Sequence, residues 1–176
     1  MVLRKINAGV SLLATVLLLN HAISLSVWML SGGSIALSPG IWPWILVGTM
    51  VIHAMISIDL AISAHADEQA HKGKSYPKMN VQTIVQRVSG VLMIVFAALH
   101  IAGAAGYMKP PKLVHSIVPP LFFTLVLSHI AVSASKALIT LGIGNAKVFK
   151  VADITIKVIC GATLIAAITG FYLYRV

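Results

Sequence analysis

The sequence predicts an all-α membrane protein, a bundle of five transmembrane helices, and three observations lead to this fold class. Of the 176 residues, 59% are hydrophobic and only 10% are charged, which is more apolar surface than a soluble domain of this size needs. Five stretches are long and apolar enough to cross a bilayer, which takes about 20 residues per helix. The basic residues lie mostly between these stretches, as in multi-pass membrane proteins.

The apolar stretches define the predicted helices, whose ranges are 6–30, 41–64, 84–107, 117–140 and 154–173. Arg4 and Lys5 precede the first stretch, as they would in a signal peptide. Its apolar run is too long for a signal sequence, so we expect a helix that is kept. The five spans take up most of the chain, and we expect a single transmembrane domain over residues 1–176.

The charges of the connections predict the orientation of the bundle. Residues 31–40 carry no charge, whereas residues 65–83 are polar and basic. With the amino terminus in the cytoplasm, ten of the thirteen Lys and Arg residues lie inside, as the positive-inside rule requires. Six aromatic residues then gather at the outer interface: Trp28, Trp42, Trp44, Tyr107, Tyr172 and Tyr174.

Charge and cysteine content exclude two classes of function. The net charge of +9 follows the membrane topology and does not form one basic patch, so we expect no nucleic-acid partner. The single cysteine, Cys160, lies within an apolar stretch and rules out a disulfide framework or a cysteine-ligated cluster.

Four histidines, one on each of the first four predicted helices, are the feature that needs a function: His21, His53, His100 and His129. An ionisable side chain in a membrane is costly to bury and marks a functional site by default. Four interpretations are open: hydrogen-bonded core histidines, a proton or transport pathway, a metal site, and haem. Proton pathways usually recruit carboxylates as well, but only Asp59 is intramembrane. No carboxylate or thiolate set accompanies the histidines for a metal site.

Haem suits the pattern because helix bundles hold this flat, apolar cofactor between helices through axial histidines. Two histidines from different helices fill both axial positions, and four histidines make two such pairs. Three polar residues lie in line with a histidine and toward the inner surface, where haem propionates would need partners: Asn7, Ser89 and Lys136. Ser57 and Ser133 each lie one turn after a histidine and are candidates to orient it. The residues alone leave the pairing open.

A motif on the third helix carries a resemblance to a known family. Gln86-Arg87-Val88-Ser89-Gly90 is followed ten residues later by His100. Looser matches are Arg4, Gly9 and His21 on the first helix, His53 followed by Ser75-Tyr76, and His129 followed by Thr140-Leu141-Gly142-Ile143. Over nearly its whole length the chain resembles the cytochrome b membrane-anchor subunit of succinate dehydrogenase and fumarate reductase, in its five-helix, two-haem type.

The resemblance implies two b-type haems, an outer one between His21 and His100 and an inner one between His53 and His129. It places Arg87 with the other propionate-binding candidates. It also implies a flavoprotein subunit and an iron–sulfur subunit, docked at residues 65–83, with the dicarboxylate chemistry on those chains. The chain would then lie in the cytoplasmic membrane of a prokaryote and pass electrons to or from a quinone, menaquinone or ubiquinone.

The candidate quinone residues are Trp28, Trp42, Trp44, Asp59 and His115, because the family's intramembrane glutamates have no counterpart here. Two alternatives stay open. The same scaffold suits the di-haem anchor of a different quinone-linked dehydrogenase or reductase, and the five helices also suit a small transporter without haem.

Overall fold

The computed structural model describes residues 2–35, 41–70, 81–104, 106–107 and 112–174, with only the backbone described at 65–70, 104 and 112–115. These residues form five helices and no strand. The helices are α1 (Val2–Leu30), α2 (Trp42–Ala70), α3 (Val81–Ala104), α4 (Lys112–Leu141) and α5 (Ala146–Tyr174). Each contains a segment long and apolar enough to cross a membrane. The predicted five-helix membrane fold is confirmed.

The helix ends differ from the predicted ones because an apolar run marks only the part of a helix that suits lipid. α5 begins eight residues before the predicted start, since the Asn145 side-chain oxygen accepts the backbone N–H groups of Lys147 and Val148 at 3.1 Å each. α3 instead ends three residues early. Gly106 adopts φ +77°, and the Tyr107 N–H bonds back to the Ala102 carbonyl at 3.0 Å, which closes the helix.

The contacts between helices define an open square. α1 packs against α2, α4 and α5, and α4 packs against α1, α3 and α5. In the described part of the chain, α2 does not pack against α3 or α4, and α1 does not pack against α3. The corners of the square are therefore α2, α1, α4 and α3 in that order, and its α2–α3 side has no packing contact between described residues. α5 lies outside the square and packs against both α1 and α4.

Small residues allow α5 to approach α1 closely. One stripe of α5 is buried and consists mainly of small side chains: Cys160, Thr163, Ala167 and Gly170. A β-carbon added at Gly170 would lie 3.0 Å from the Met29 Cβ of α1. Close packing of small residues is the usual way in which membrane helices associate, because lipid provides no hydrophobic drive between them.

The buried core has its central residues on α3, α4 and α5, and Leu18 and Leu19 of α1 and Met50 of α2 pack against it. Its members are Met93, Val126, Leu127, Ile130, Ala134 and Cys160. Leu127 is the largest side chain that is completely buried. Within the described ranges, the backbone of α3 approaches that of α4, whereas the backbone of α2 approaches only that of α1.

Candidate functional site

Two pairs of histidines face each other across the diagonals of the square. His21 of α1 and His100 of α3 have ring centroids 6.4 Å apart and ring planes at 75°. His53 of α2 and His129 of α4 lie on the other diagonal, where His53 contacts Asn7 of α1 and His129 contacts Ser89 of α3. Neither α1 and α3 nor α2 and α4 pack against each other within the described ranges. The histidine side chains therefore span the space that separates these helices.

The two pairs lie at different levels of the bundle. On α3, Ser89 contacts His129 and lies eleven residues before His100, a rise of about 16 Å. On α1, Asn7 contacts His53 and lies fourteen residues before His21, a rise of about 21 Å. The pair His53–His129 is therefore nearer the start of α1 and α3, and the pair His21–His100 is nearer their end.

Hydrogen bonds fix the ring of His53. Its Nδ1 lies 3.0 Å from the Asn7 Oδ1, an oxygen that can only accept, so Nδ1 carries the proton. The Asn7 amide also contacts α2 at Ser57, whose Oγ accepts from Nδ2 at 3.2 Å and lies 3.4 Å from Oδ1. The Nε2 of His53 is consequently left with a free lone pair.

The same tautomer follows for His129. The Ser89 hydroxyl donates to the Val85 carbonyl at 2.6 Å, so its oxygen accepts from the His129 Nδ1 at 3.0 Å. The ring also lies against α3 at Gly90, where an added β-carbon would be 3.3 Å from the His129 Cε1. Ser133 does not contact the ring, because its hydroxyl donates to the backbone carbonyl of His129.

The outer pair is held differently. His21 and His100 make no hydrogen bond to any other described residue. The His100 ring lies 5.5 Å from the Phe122 ring of α4, and Phe122 in turn stacks on Phe96 at 6.5 Å. Aromatic packing therefore positions His100, whereas hydrogen bonds position the two inner histidines.

The distance between the His21 and His100 rings is compatible with one metal between the two imidazoles. A metal between two imidazoles lies about 2.0–2.1 Å from each bound nitrogen, and each nitrogen lies about 1.2 Å from the centre of its ring. The two ring centroids are then about 6.4 Å apart when the bonds lie in line. The His21–His100 separation equals this value. Among the side chains described, no group of three or more His, Cys, Asp or Glu residues could hold a bare metal ion.

The predicted propionate-binding residues lie near the inner pair but have different surroundings. Lys136 donates to the Gln86 Oε1 at 3.0 Å and so links α4 to α3. Asn7 and Ser89 contact the inner histidines. Arg87 is exposed and makes no hydrogen bond or ion pair with another described residue. A role for these four residues toward propionates stays a prediction.

The predicted quinone residues have different surroundings, and a shared site for them stays a prediction. Trp28 packs on Tyr174 with ring centroids 4.7 Å apart, whereas Trp42 and Trp44 are 62% and 67% exposed. Asp59 is exposed on α2. The side chain of His115 and residues 71–80 of the predicted docking loop, including Ser75-Tyr76, lie outside the described residues.

Three residues near the histidines were not predicted as site residues: Gln86, Gly90 and Phe122. Gln86 and Gly90 belong to the motif that precedes His100, so their place in the motif was a usable signal. Phe122 lies seven residues before His129, and so on the same face of α4, which was also visible in the sequence. A scan of protein-family models, a search of curated proteins and a search of solved structures found nothing that matches this chain.

Proposed function

We propose that this chain is the di-haem cytochrome b membrane anchor of a succinate:quinone oxidoreductase, either a succinate dehydrogenase or a fumarate reductase. The observation that carries the proposal is the His21–His100 pair, whose rings meet at 6.4 Å between two helices that do not pack. A haem held by two histidines requires two helices that are kept apart, with one imidazole from each helix in the space between them.

In this proposal each of the four histidines would supply one ring nitrogen to a haem, with two histidines at each of two sites. A haem bound at each site would supply a one-electron iron couple. His53 and His129 keep Nδ1 protonated through Asn7 and Ser89 and thereby offer Nε2 to the space between α2 and α4. Because two histidines would hold each haem, neither site would leave a position open for a substrate, which favours electron transfer over oxygen chemistry.

The complex to which the chain belongs is inferred from the motif Gln86–Gly90 with His100 and from its looser companions. Electrons would pass between a membrane quinone and a docked iron–sulfur subunit, and a flavoprotein subunit would carry the dicarboxylate site. The chain would thus be part of an enzyme without chemistry on succinate or fumarate of its own. The cytoplasmic membrane of a prokaryote, with the amino terminus inside, is part of the same proposal.

Purification of the full chain from its native membrane tests both parts of the proposal. We expect b-type bands in a reduced-minus-oxidised spectrum, two haems per chain, and co-purification of a flavin-bearing chain and an iron–sulfur chain. Two haems with a flavoprotein that does not turn over succinate or fumarate would indicate another quinone-linked dehydrogenase. Complete absence of b-type bands would instead favour a transporter without haem.

A further inference from the structure

We infer that Asn7 is the positioning residue of the inner site: the first two turns of α1 set the tautomer of His53 and so decide which of its nitrogens is offered to a metal. The inference deepens the proposed function and rests on it for the identity of that metal. It assigns α1 to both sites, because the same helix carries His21 of the outer pair.

The contact is specific in its geometry. Asn7 reaches one turn of α2, where its Oδ1 lies 3.0 Å from the His53 Nδ1 and its Nδ2 lies 3.2 Å from the Ser57 Oγ. Ser57 is four residues after His53, so both contacts come from one face of α2. The Ser57 Oγ also lies 3.4 Å from the Asn7 Oδ1, so one turn of α2 contacts both polar atoms of the amide.

The surroundings make this contact costly to lose. Asn7, His53 and Ser57 are all half-buried at membrane-spanning segments. A polar group without a hydrogen-bond partner is strongly disfavoured in an apolar environment. Lipid offers the His53 Nδ1–H no replacement partner, and therefore the ring keeps its orientation only while Asn7 accepts from it.

The consequence for binding follows from the hydrogen-bond partner of a ligating histidine. The partner of one ring nitrogen decides which nitrogen carries the proton and which is free to ligate. It also fixes the ring orientation, and its removal typically lowers metal affinity by about 10–100-fold. The outer histidines have no hydrogen-bond partner among the described residues, so the dependence on Asn7 should be confined to the inner site.

The test is haem release from the purified full chain to an excess of a scavenging apo-globin, followed for wild type, Asn7→Leu and Asn20→Leu. Asn20 is an exposed asparagine on the same helix, so it provides a chemically matched control. We expect two release phases in wild type. The phase that is missing in His53→Leu is the one from the inner site. Asn7→Leu should make this phase about 10-fold faster or more and leave the other phase unchanged. Asn20→Leu should change neither.

A second measurement does not need haem. In the full chain, prepared without haem in lipid bilayers and labelled with ¹⁵N-histidine, the His53 signals should show a protonated Nδ1 in wild type. In Asn7→Leu the Nε2-protonated form should appear. Equal tautomer populations in the two proteins, or two unchanged release phases, would overturn the role of Asn7. If wild type binds no haem, the proposed function fails, and the tautomer measurement alone decides the role of Asn7.

Discussion

At the scale of single residues, Gly90 lies in close contact with one of the two inner histidines. The His129 ring lies directly over it, and a β-carbon there would be 3.3 Å from Cε1. Such a contact is tighter than ordinary van der Waals packing, so the ring has to shift. Since Ser89 holds the same ring through Nδ1, a shift away from Gly90 also strains that hydrogen bond.

Gly90→Ala should therefore weaken the inner site while leaving the helix intact. We expect faster release of one of the two haems and an altered low-temperature electron paramagnetic resonance signal for that haem alone. Gly103→Ala, on the same helix with nothing within 4 Å of the added carbon, is the matched control. Identical spectra and release rates for Gly90→Ala and wild type would contradict the described position of the His129 ring.

At the scale of the helices, the α1–α5 contact and the α3–α4 contact are built from different forces. α5 approaches α1 through small side chains that end at Gly170, whereas α3 and α4 are joined by the polar bond between Gln86 and Lys136. Both types of contact are typical of membrane helices, and both should be measurable.

Gly170→Ala should destabilise the bundle, because the new β-carbon would lie 3.0 Å from the Met29 Cβ, which cannot rotate away. Overpacking of this kind typically costs about 1–3 kcal/mol. Gly161→Ala, on the same helix with open space around it, should be neutral or slightly stabilising. Thermal unfolding of the two variants in lipid–detergent micelles makes the comparison, and equal melting temperatures would contradict the close approach.

The Gln86–Lys136 bond should appear as a coupling between α3 and α4. A double-mutant cycle with Gln86→Leu and Lys136→Met should give a coupling free energy of about 0.6 kcal/mol and no more than about 1.7 kcal/mol, the average and the maximum for hydrogen bonds between membrane helices. Additive effects of the two substitutions on the free energy of unfolding would show that the 3.0 Å contact contributes nothing.

At the scale of the whole molecule, the orientation predicted from the basic residues can be tested in intact cells. In a Cys160→Ala background, Ser34→Cys lies in the α1–α2 connection and Ile143→Cys in the α4–α5 connection. We expect a membrane-impermeant maleimide to label the first from outside and the second only after the cells are opened. The reverse pattern would contradict an amino terminus in the cytoplasm.

The sequence was sufficient to predict the five helices and one histidine on each of four of them, because length and hydropathy are local properties. The relative rotation of the helices was not predictable, since it depends on packing between residues far apart in the chain. Asn7 and Ser89 illustrate the difference. Both lie on the histidine-bearing faces, as predicted, but their contacts with the rings of His53 and His129 required the structure.

The helix ends show the same limit in another form. α5 extends eight residues beyond its predicted start through a segment that carries Lys147, Lys150 and Asp153, which lowered its hydropathy. A helix continues for as long as its backbone groups find partners, and Asn145 provides them at this end. The apolar pattern predicts which part of the helix can span the membrane. It does not predict how far the helix extends beyond the membrane.

The central claim is that two histidine pairs each clamp one haem, and its most direct test is the haem content and axial ligation of the purified full chain. We predict two b-type haems per chain with the near-infrared magnetic circular dichroism band of bis-histidine ligation, and one haem per chain in His100→Leu. A chain without haem, or an unchanged haem content after replacement of His100, would contradict the claim.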